Sequence, residues 1–202
     1  MCRFIETILF ENNEMPLIHW HEQRFVKTQE ANFSKIIYPS LEKIILQSNI
    51  PQENNIRYKC RVVYDSANVQ VEFSPYQKKQ INKLIVKVDD EIDYSFKYEN
   101  REKLNALTKD LKPDEEVLIV KNNLLTDTSF TNIALFDGTN WFTPAKPLLQ
   151  GVQRNELLSQ KIIHEADIDI FQLKNYSKIK LFNALNDWEH VWELNCNDIY
   201  FS

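Results

Sequence analysis

The sequence predicts a mixed fold of the α+β or α/β class, divided into two lobes. Short apolar runs with the two-residue period of β-strands alternate with longer stretches in which apolar side chains recur at helical spacing. A polar stretch at residues 75–80 interrupts this pattern. We therefore expect a small N-terminal α/β lobe over residues 1–80 and a larger, β-rich C-terminal lobe with helices over residues 81–202.

In the N-terminal lobe, strands and helices are predicted from local signals. Ser40 is a good N-cap for the second helix, and Pro51 stops it. A polar turn at residues 11–14 suggests that residues 15–18 return as the second arm of a hairpin. The predicted strands are residues 4–10, 56–64 and 69–73, and the predicted helices are residues 19–33 and 41–46.

The C-terminal lobe is predicted to hold more strands than helices. A helical apolar stripe runs through Leu157, Leu158, Ile162 and Ala166 and begins after Gly151. The predicted strands are residues 84–88, 117–120, 133–136, 168–171 and 179–182, and the predicted helices are residues 101–111 and 152–166.

Composition excludes several classes of protein. The net charge of −5 argues against a nucleic-acid binder, which usually carries a basic excess. The three cysteines are widely spaced, so we expect neither a disulfide framework nor a metal site, and a reducing cytoplasm as the location. No stretch approaches 18 apolar residues, and the N-terminus has no apolar signal core, so we expect no membrane span and no signal peptide.

Glycine is scarce, since only Gly138 and Gly151 occur. A P-loop or a GxGxxG turn needs several glycines close together, so neither can form. Gly151 precedes a predicted helix, however, and the backbone amides of Val152 and Gln153 would then be free donors at a positive helix end. That helix start is a candidate anion site.

Six short motifs occur in a definite order along the chain. They are Phe-Ile-Glu-Thr-Ile at residues 4–8, His-Glu-Gln-Arg-Phe at 21–25, Lys-Tyr-Glu-Asn at 97–100, Thr-Asp followed by Asn within 126–132, Thr-Pro followed by Leu-Gln-Gly-Val-Gln-Arg within 143–154, and Phe-Asn-Ala-Leu at 182–185. Together they resemble the class IV aminotransferase family, the fold-type IV enzymes that use pyridoxal 5′-phosphate (PLP). That family includes branched-chain and D-amino acid aminotransferases and 4-amino-4-deoxychorismate lyase. The sequence resembles a short variant that lacks the R-G-x-x-y-G-D-G segment preceding this first strand in the family, so the resemblance does not extend to substrate preference.

The resemblance implies a role for Lys97 and for Asp127. Lys97 corresponds to the lysine that forms a Schiff base with PLP and later moves a proton, whereas a lone lysine would ordinarily be a solvated surface group. Asp127 corresponds to the acid, usually glutamate, that keeps the ring nitrogen protonated. Aspartate is one methylene shorter, which leaves open how strongly the ring is activated. The alternative for Asp127 is a turn-capping role.

The resemblance also implies a phosphate site and a dimer. An arginine fork suits a phosphate in a bidentate pose, and we expect Arg24 in that role. The other expected phosphate contacts come from Gly151, Val152, Gln153 and Asn183. A homodimer is expected because family sites often form near a subunit interface.

The activity remains a choice between related reactions. An aminotransferase acting on a small amino acid and keto acid is the leading hypothesis, by a narrow margin. The alternatives are a lyase of the 4-amino-4-deoxychorismate type, a degenerate member that binds PLP with little turnover, and a plain α/β interaction protein. Arg61 and Tyr64 are the candidates for contact with a substrate carboxylate.

Overall fold

The computed structural model describes residues 2–201 and separates them into two compact units. The first unit contains residues 2–77 together with Phe96–Asn100, and the second contains Lys78–Ser95 together with residues 101–201. The change of unit after Gln77 lies close to the predicted boundary at residue 80. Phe96–Asn100, which the prediction assigned to the C-terminal lobe with Lys97, groups with the first unit instead because its backbone pairs with the first strand.

The first unit is a three-stranded antiparallel sheet with two helices. Its sheet has the strand order β1-β2-β3. The elements are β1 (Phe4–Phe10), β2 (Tyr58–Tyr64), β3 (Val69–Pro75), α1 (Ile18–Asn32) and α2 (Leu41–Leu46). Phe4, Ile8 and Phe10 alternate along β1 and are buried, as the two-residue period of a half-covered strand requires. They pack with Phe25 of α1 in one core cluster.

The turn after β1 differs from the prediction. Glu11 and Glu14 form a single antiparallel bridge around Asn12 and Asn13, whose φ angles are 51° and 63°. Residues 15–18 do not return as a strand, because Pro16 has no N–H to donate to a ladder and Ile18 already begins α1. The chain therefore passes from the turn into α1.

Helix α2 begins at the predicted place and is capped twice. The Ser40 hydroxyl accepts a hydrogen bond from the backbone N–H of Lys43 at 3.2 Å. In addition, the Glu22 carboxylate accepts hydrogen bonds from the backbone N–H groups of Leu41 at 3.0 Å and Glu42 at 2.9 Å. These bonds satisfy amides that have no partner within the helix, and they tie α2 to α1.

The second unit contains two sheets and two helices. One sheet has the order β11-β10-β7-β8-β9 and the other β12-β4-β5-β6. The elements are β4 (Lys83–Val88), α3 (Glu102–Thr108), β5 (Glu115–Lys121), β6 (Leu124–Leu125), β7 (Asn132–Phe136), β8 (Trp141–Pro144), α4 (Val152–Ser159), β9 (Ile163–Ala166), β10 (Lys178–Phe182), β11 (Trp192–Asn195) and β12 (Ile199–Phe201). Side chains of both sheets, among them Leu118, Leu135 and Leu181, form a single buried cluster.

Two predicted elements of this unit were wrong in part. The helix predicted for residues 152–166 ends at Ser159, because Lys161 takes a left-handed conformation with φ 58° and the chain continues as β9. The predicted helical stripe therefore spans two elements, because Leu157 lies in α4 whereas Ala166 lies in β9. Ile170–Asn175 is a 3₁₀ helix rather than part of a strand, and the Asp169 carboxylate caps it by accepting from the backbone N–H of Phe171.

The mixed α and β fold class is confirmed. Among residues 2–201, no helix combines the length and the apolar character needed to cross a membrane.

Candidate functional site

In the first unit, the segment that carries Lys97 runs along the edge of β1 that faces away from β2. The backbone N–H of Ile5 donates to the carbonyl oxygen of Lys97 at 2.9 Å, and the N–H of Glu99 donates to the carbonyl oxygen of Arg3 at 2.8 Å. Phe4 and Tyr98 form the bridge between these two bonds. Lys97 is half-buried, and its carbonyl oxygen is held by β1.

Arg24 is held by a buried carboxylate on the neighbouring strand. Its Nε donates to Glu6 Oε1 at 2.9 Å, and its Nη2 donates to Glu6 Oε2 at 2.5 Å. His21 Nδ1 lies 2.6 Å from the same Oε2 atom. Glu6 comes from β1 and the other two side chains come from one face of α1. We call these three residues the Glu6 trio.

The pKa values of the trio follow from its charges. Burial alone would raise the pKa of Glu6, but the Arg24 charge and the hydrogen bonds from His21 and Arg24 outweigh it and lower this pKa to about 2. Burial lowers the pKa of His21, and the charges of Arg24 and Lys97 add to that effect against the opposing influence of Glu6. Glu6 is therefore ionised and His21 neutral at neutral pH, and the Nδ1–H of His21 donates to Glu6.

Sequence reasoning did not assign functional roles to Glu6 and His21. Both stand inside the motifs at residues 4–8 and 21–25. An acid in an otherwise apolar strand, together with a histidine three residues before an arginine, is a usable signal, because residues three apart share one face of a helix.

Arg61 and Tyr64, the candidates for substrate contact, lie on β2 in different surroundings. Arg61 Nη2 donates to Glu99 Oε1 at 3.0 Å, and Arg3 Nη1 lies 3.0 Å from the other oxygen of the same carboxylate. Tyr64 is buried, its ring centroid is 4.5 Å from that of Phe25, and burial raises the pKa of its hydroxyl above the usual range. The Tyr64 ring thus contributes to the packing of the first unit.

In the second unit, Asp127 is a buried carboxyl whose orientation is fixed by neutral donors. Asn132 Nδ2 donates to Asp127 Oδ1 at 2.8 Å, and the backbone N–H of Leu149 donates to Oδ2 at 2.9 Å. Burial raises the pKa of Asp127 to about 7, although these hydrogen bonds and the Arg154 charge oppose the rise. Within the described residues Asp127 has no salt bridge. The carboxyl is thus suited to a ligand group that carries a proton.

Gly151 is required by the close approach of Asn132. A Cβ atom at Gly151 would lie 1.8 Å from Asn132 Oδ1, whereas its φ of −70° is available to any residue. The same Asn132 side chain donates to the Leu149 carbonyl oxygen at 2.9 Å. Asn132 therefore links Asp127 to the segment that leads into α4.

Helix α4 begins at Val152, as predicted, and its start lacks a side-chain cap. Gly151 is the N-cap residue and has no side chain to accept from the first amides. Val152, Gln153 and Arg154 are all buried. Arg154 holds the helix in place by donating to the Pro144 carbonyl oxygen at 2.9 Å and to Gln150 Oε1 at 2.8 Å. The first amides of α4 are therefore suited to an anion.

Asn183 follows β10 and forms a turn. Its Oδ1 accepts from the backbone N–H of Leu185 at 3.0 Å and lies 3.4 Å from Asn186 Nδ2. Both contacts use the oxygen of the Asn183 amide. A hydrogen bond from Nδ2 to a phosphate is compatible with that arrangement.

A cavity of about 340 Å³ lies in the second unit, close in sequence to the Asp127 cluster. Its lining includes Thr126 and Leu148, the neighbours of Asp127 and Leu149, together with Tyr94 and Lys121. Its size is within the range of small-molecule sites.

Within each unit the structure places some of the predicted residues in a cluster with other side chains. Glu6, His21 and Arg24 form one cluster in the first unit, where Lys97 is near enough for its charge to act on His21. In the second unit, Asp127 and Gly151 are linked through Asn132.

Comparison with known proteins gives consistent results. Residues 95–193 match the family described as amino-transferase class IV. An uncharacterized protein of Haemophilus influenzae is 30% identical over 187 residues, which are 92% of this chain and 99% of that protein. A candidate 4-amino-4-deoxychorismate lyase from Haemophilus somnus is 33% identical, with a TM-score of 0.85 over 92% of this chain and 97% of that one. A candidate amino-acid aminotransferase from Mesorhizobium loti shares the fold, with a TM-score of 0.82, 17% identity and full coverage of both chains.

Proposed function

Because the chain belongs to the class IV aminotransferase family, we propose that it is a PLP-dependent enzyme acting on the amino group of a small substrate. In this proposal Lys97 is the lysine that binds the cofactor covalently, and aminotransferase is the leading activity. When bound, PLP withdraws electrons from the bonds at the carbon that carries the amine, provided that its ring nitrogen is protonated. The remaining roles fall to side chains and amides of this chain.

The observation that carries the proposal is the fixed, buried carboxyl of Asp127. A carboxyl with a pKa near 7 can hold or share a proton with a ring nitrogen at neutral pH. Asn132 and the Leu149 amide orient it before any ligand arrives. This preorganisation supports aspartate in a position where relatives in the family usually have glutamate.

We assign the phosphate to two groups of donors. Arg24 offers a guanidinium with five N–H donors, of which Glu6 takes two. The first turn of α4, with Gly151, Val152 and Gln153, offers backbone amides at a positive helix end, and Asn183 adds a side-chain amide. Arg61 and Tyr64 stay predictions for contact with a substrate carboxylate.

Lys97 supplies the amine and moves a proton during the reaction. Its backbone is anchored to β1, which supports a fixed starting point for its side chain. To test this role, PLP is added to the full chain, the visible absorption is recorded, and borohydride reduction is followed by peptide mapping. We expect the cofactor on Lys97 and no labelling in Lys97→Ala. Lys59→Ala, which changes another half-buried lysine of the first unit, is the matched control and should label normally.

A label on another lysine would overturn the assignment of Lys97. A protein that takes up no PLP at all would overturn the proposed function. Light scattering of the labelled protein would check the expected homodimer.

A lyase of the 4-amino-4-deoxychorismate type is the second candidate. The similarity that favours it is the 33% identical protein from Haemophilus somnus. Assays of the loaded protein separate the candidates: an aminotransferase converts amino acid and keto acid pairs, whereas a lyase releases pyruvate from 4-amino-4-deoxychorismate. Covalent PLP without either reaction would indicate a binding member of the family with little turnover.

A further inference from the structure

We propose that Glu6 is a positioning residue that sets the plane of the Arg24 guanidinium for the cofactor phosphate, and that His21 in turn orients Glu6. This inference rests on the proposed function, because it needs Arg24 to contact phosphate. It adds two residues to which neither composition nor motif resemblance assigned a role.

The geometry of the pair restricts Arg24 strongly. The Nε and Nη2 atoms bind the two carboxylate oxygens side by side, so the guanidinium can neither rotate about its own axis nor tilt without losing a bond. Glu6 itself is only 1% exposed and is held by the backbone of β1. The orientation of the Arg24 guanidinium is therefore set by Glu6 on a rigid strand rather than by the flexible side chain of Arg24 itself.

His21 also restricts the carboxylate, at the same oxygen that accepts from Arg24 Nη2. Its Nδ1 lies 2.6 Å from Glu6 Oε2, and its ring is fully buried. Its Nε2 is also buried and has no hydrogen-bond partner in the part of the chain that the structure describes. Leaving a buried polar atom unpaired is costly. The bond to Glu6 is thus the hydrogen bond that accounts for the place of this imidazole.

Charge alone would argue for a different residue at position 6. Glu6 is ionised and His21 is neutral, so the trio has a net charge of zero, and a phosphate gains little from its overall charge. If attraction were the purpose, a neutral side chain would leave Arg24 free to bind phosphate more strongly. A carboxylate makes sense where direction matters more than net charge, since preorganised donors bind with less loss of side-chain entropy.

The test compares two ligands that differ only in the phosphate. PLP and pyridoxal are titrated into the full chain by absorbance and fluorescence, and the ratio of their affinities isolates the phosphate contribution. Glu6→Gln removes the charge, and Glu6→Asp keeps the charge but withdraws it by one methylene. We expect the ratio to fall at least tenfold in both variants, with pyridoxal binding nearly unchanged.

His21 variants keep the test informative if the Glu6 variants fold poorly. His21→Asn can place an amide nitrogen near the position of Nδ1 and should retain the ratio. His21→Leu has no donor and should lower the ratio. Rescue by asparagine alone would separate orientation of Glu6 from simple packing.

Arg24→Gln separates this inference from the proposed function. If the wild type binds neither ligand, or if Arg24→Gln leaves the ratio unchanged, the proposed phosphate role fails, and the present inference fails with it. If Arg24→Gln lowers the ratio but Glu6→Gln and Glu6→Asp do not, only the positioning role is overturned. A higher ratio in Glu6→Gln would likewise overturn it, because Glu6 would then act through charge.

Discussion

Replacing Gly151 with alanine is a direct test of how the Asp127 cluster is built. The new Cβ would lie 1.8 Å from Asn132 Oδ1 and 3.0 Å from its Cγ, far inside ordinary contact distance. Because the φ of −70° suits alanine, backbone strain does not contribute. The Asn132 side chain must move, and it then loses its bonds to Asp127 and to the Leu149 carbonyl.

The expected loss can be worked out from these contacts. Overpacking costs about 1–3 kcal/mol, and losing a hydrogen bond to a buried carboxyl costs about 1.5–3 kcal/mol. The sum is roughly 2.5–6 kcal/mol, which lowers the melting temperature of a chain of this size by about 5–24 °C. Thermal unfolding followed by circular dichroism measures this shift.

Two further variants control the measurement. In the Asn132→Ala background, Gly151→Ala should cost almost nothing more, because the atom with which it collides has been removed. Gly138→Ala meets no atom within 4 Å but has a φ of 103°, so it should cost only about 1–2 kcal/mol. An undiminished cost of Gly151→Ala in the Asn132→Ala background would refute the collision argument.

Two other substitutions test the acid and the helix cap. The pKa of Asp127 is raised from 3.8 to about 7 in the folded chain, so the folded state keeps a proton that the unfolded state releases. The stability that this proton contributes is complete at low pH and is lost as the pH rises towards 7. Urea denaturation of the cofactor-free protein between pH 5 and 8 should therefore show wild type losing stability relative to Asp127→Asn as the pH rises; parallel curves would contradict the raised pKa. Glu22→Ala removes the acceptor of two amides at the start of α2 and should cost about 1–2 kcal/mol, measured by the same denaturation. The control, Glu42→Ala on the exposed face of α2, should cost less than about 0.5 kcal/mol. Equal losses in the two variants would count against the cap.

Local signals predicted local structure well. The strand at residues 4–10 and the start of α2 at Leu41 were both confirmed, because alternation and an N-cap serine are encoded within a few residues. The start of α4 after Gly151 was confirmed for the same reason. Helix α4 ends near Lys161, which has a left-handed conformation, and a lysine does not predict that conformation in a sequence.

Tertiary partners account for the rest. The sequence contains Glu6 and Arg24 eighteen residues apart, and nothing local indicates that a strand and a helix will join them. The link from Asn132 to Asp127 was implicit in a motif, but the collision that requires Gly151 became visible only with atoms in place. The short strand β12 depends on β4, a partner far earlier in the chain, and lacks a period of its own.

The placement of Phe96–Asn100 on β1 has a consequence for how the chain is made. A ribosome releases residues 2–77 first, and at that stage β1 still exposes an unpaired edge. Only after the chain has passed through Lys78–Ser95 does the strand-like partner arrive and pair with the first residues of that edge, at Phe4 and Ile5. An N-terminal fragment cut at residue 80 would keep the exposed edge permanently and should be prone to aggregate, as open strand edges are. The segment that contains Lys97 therefore helps to complete the first unit.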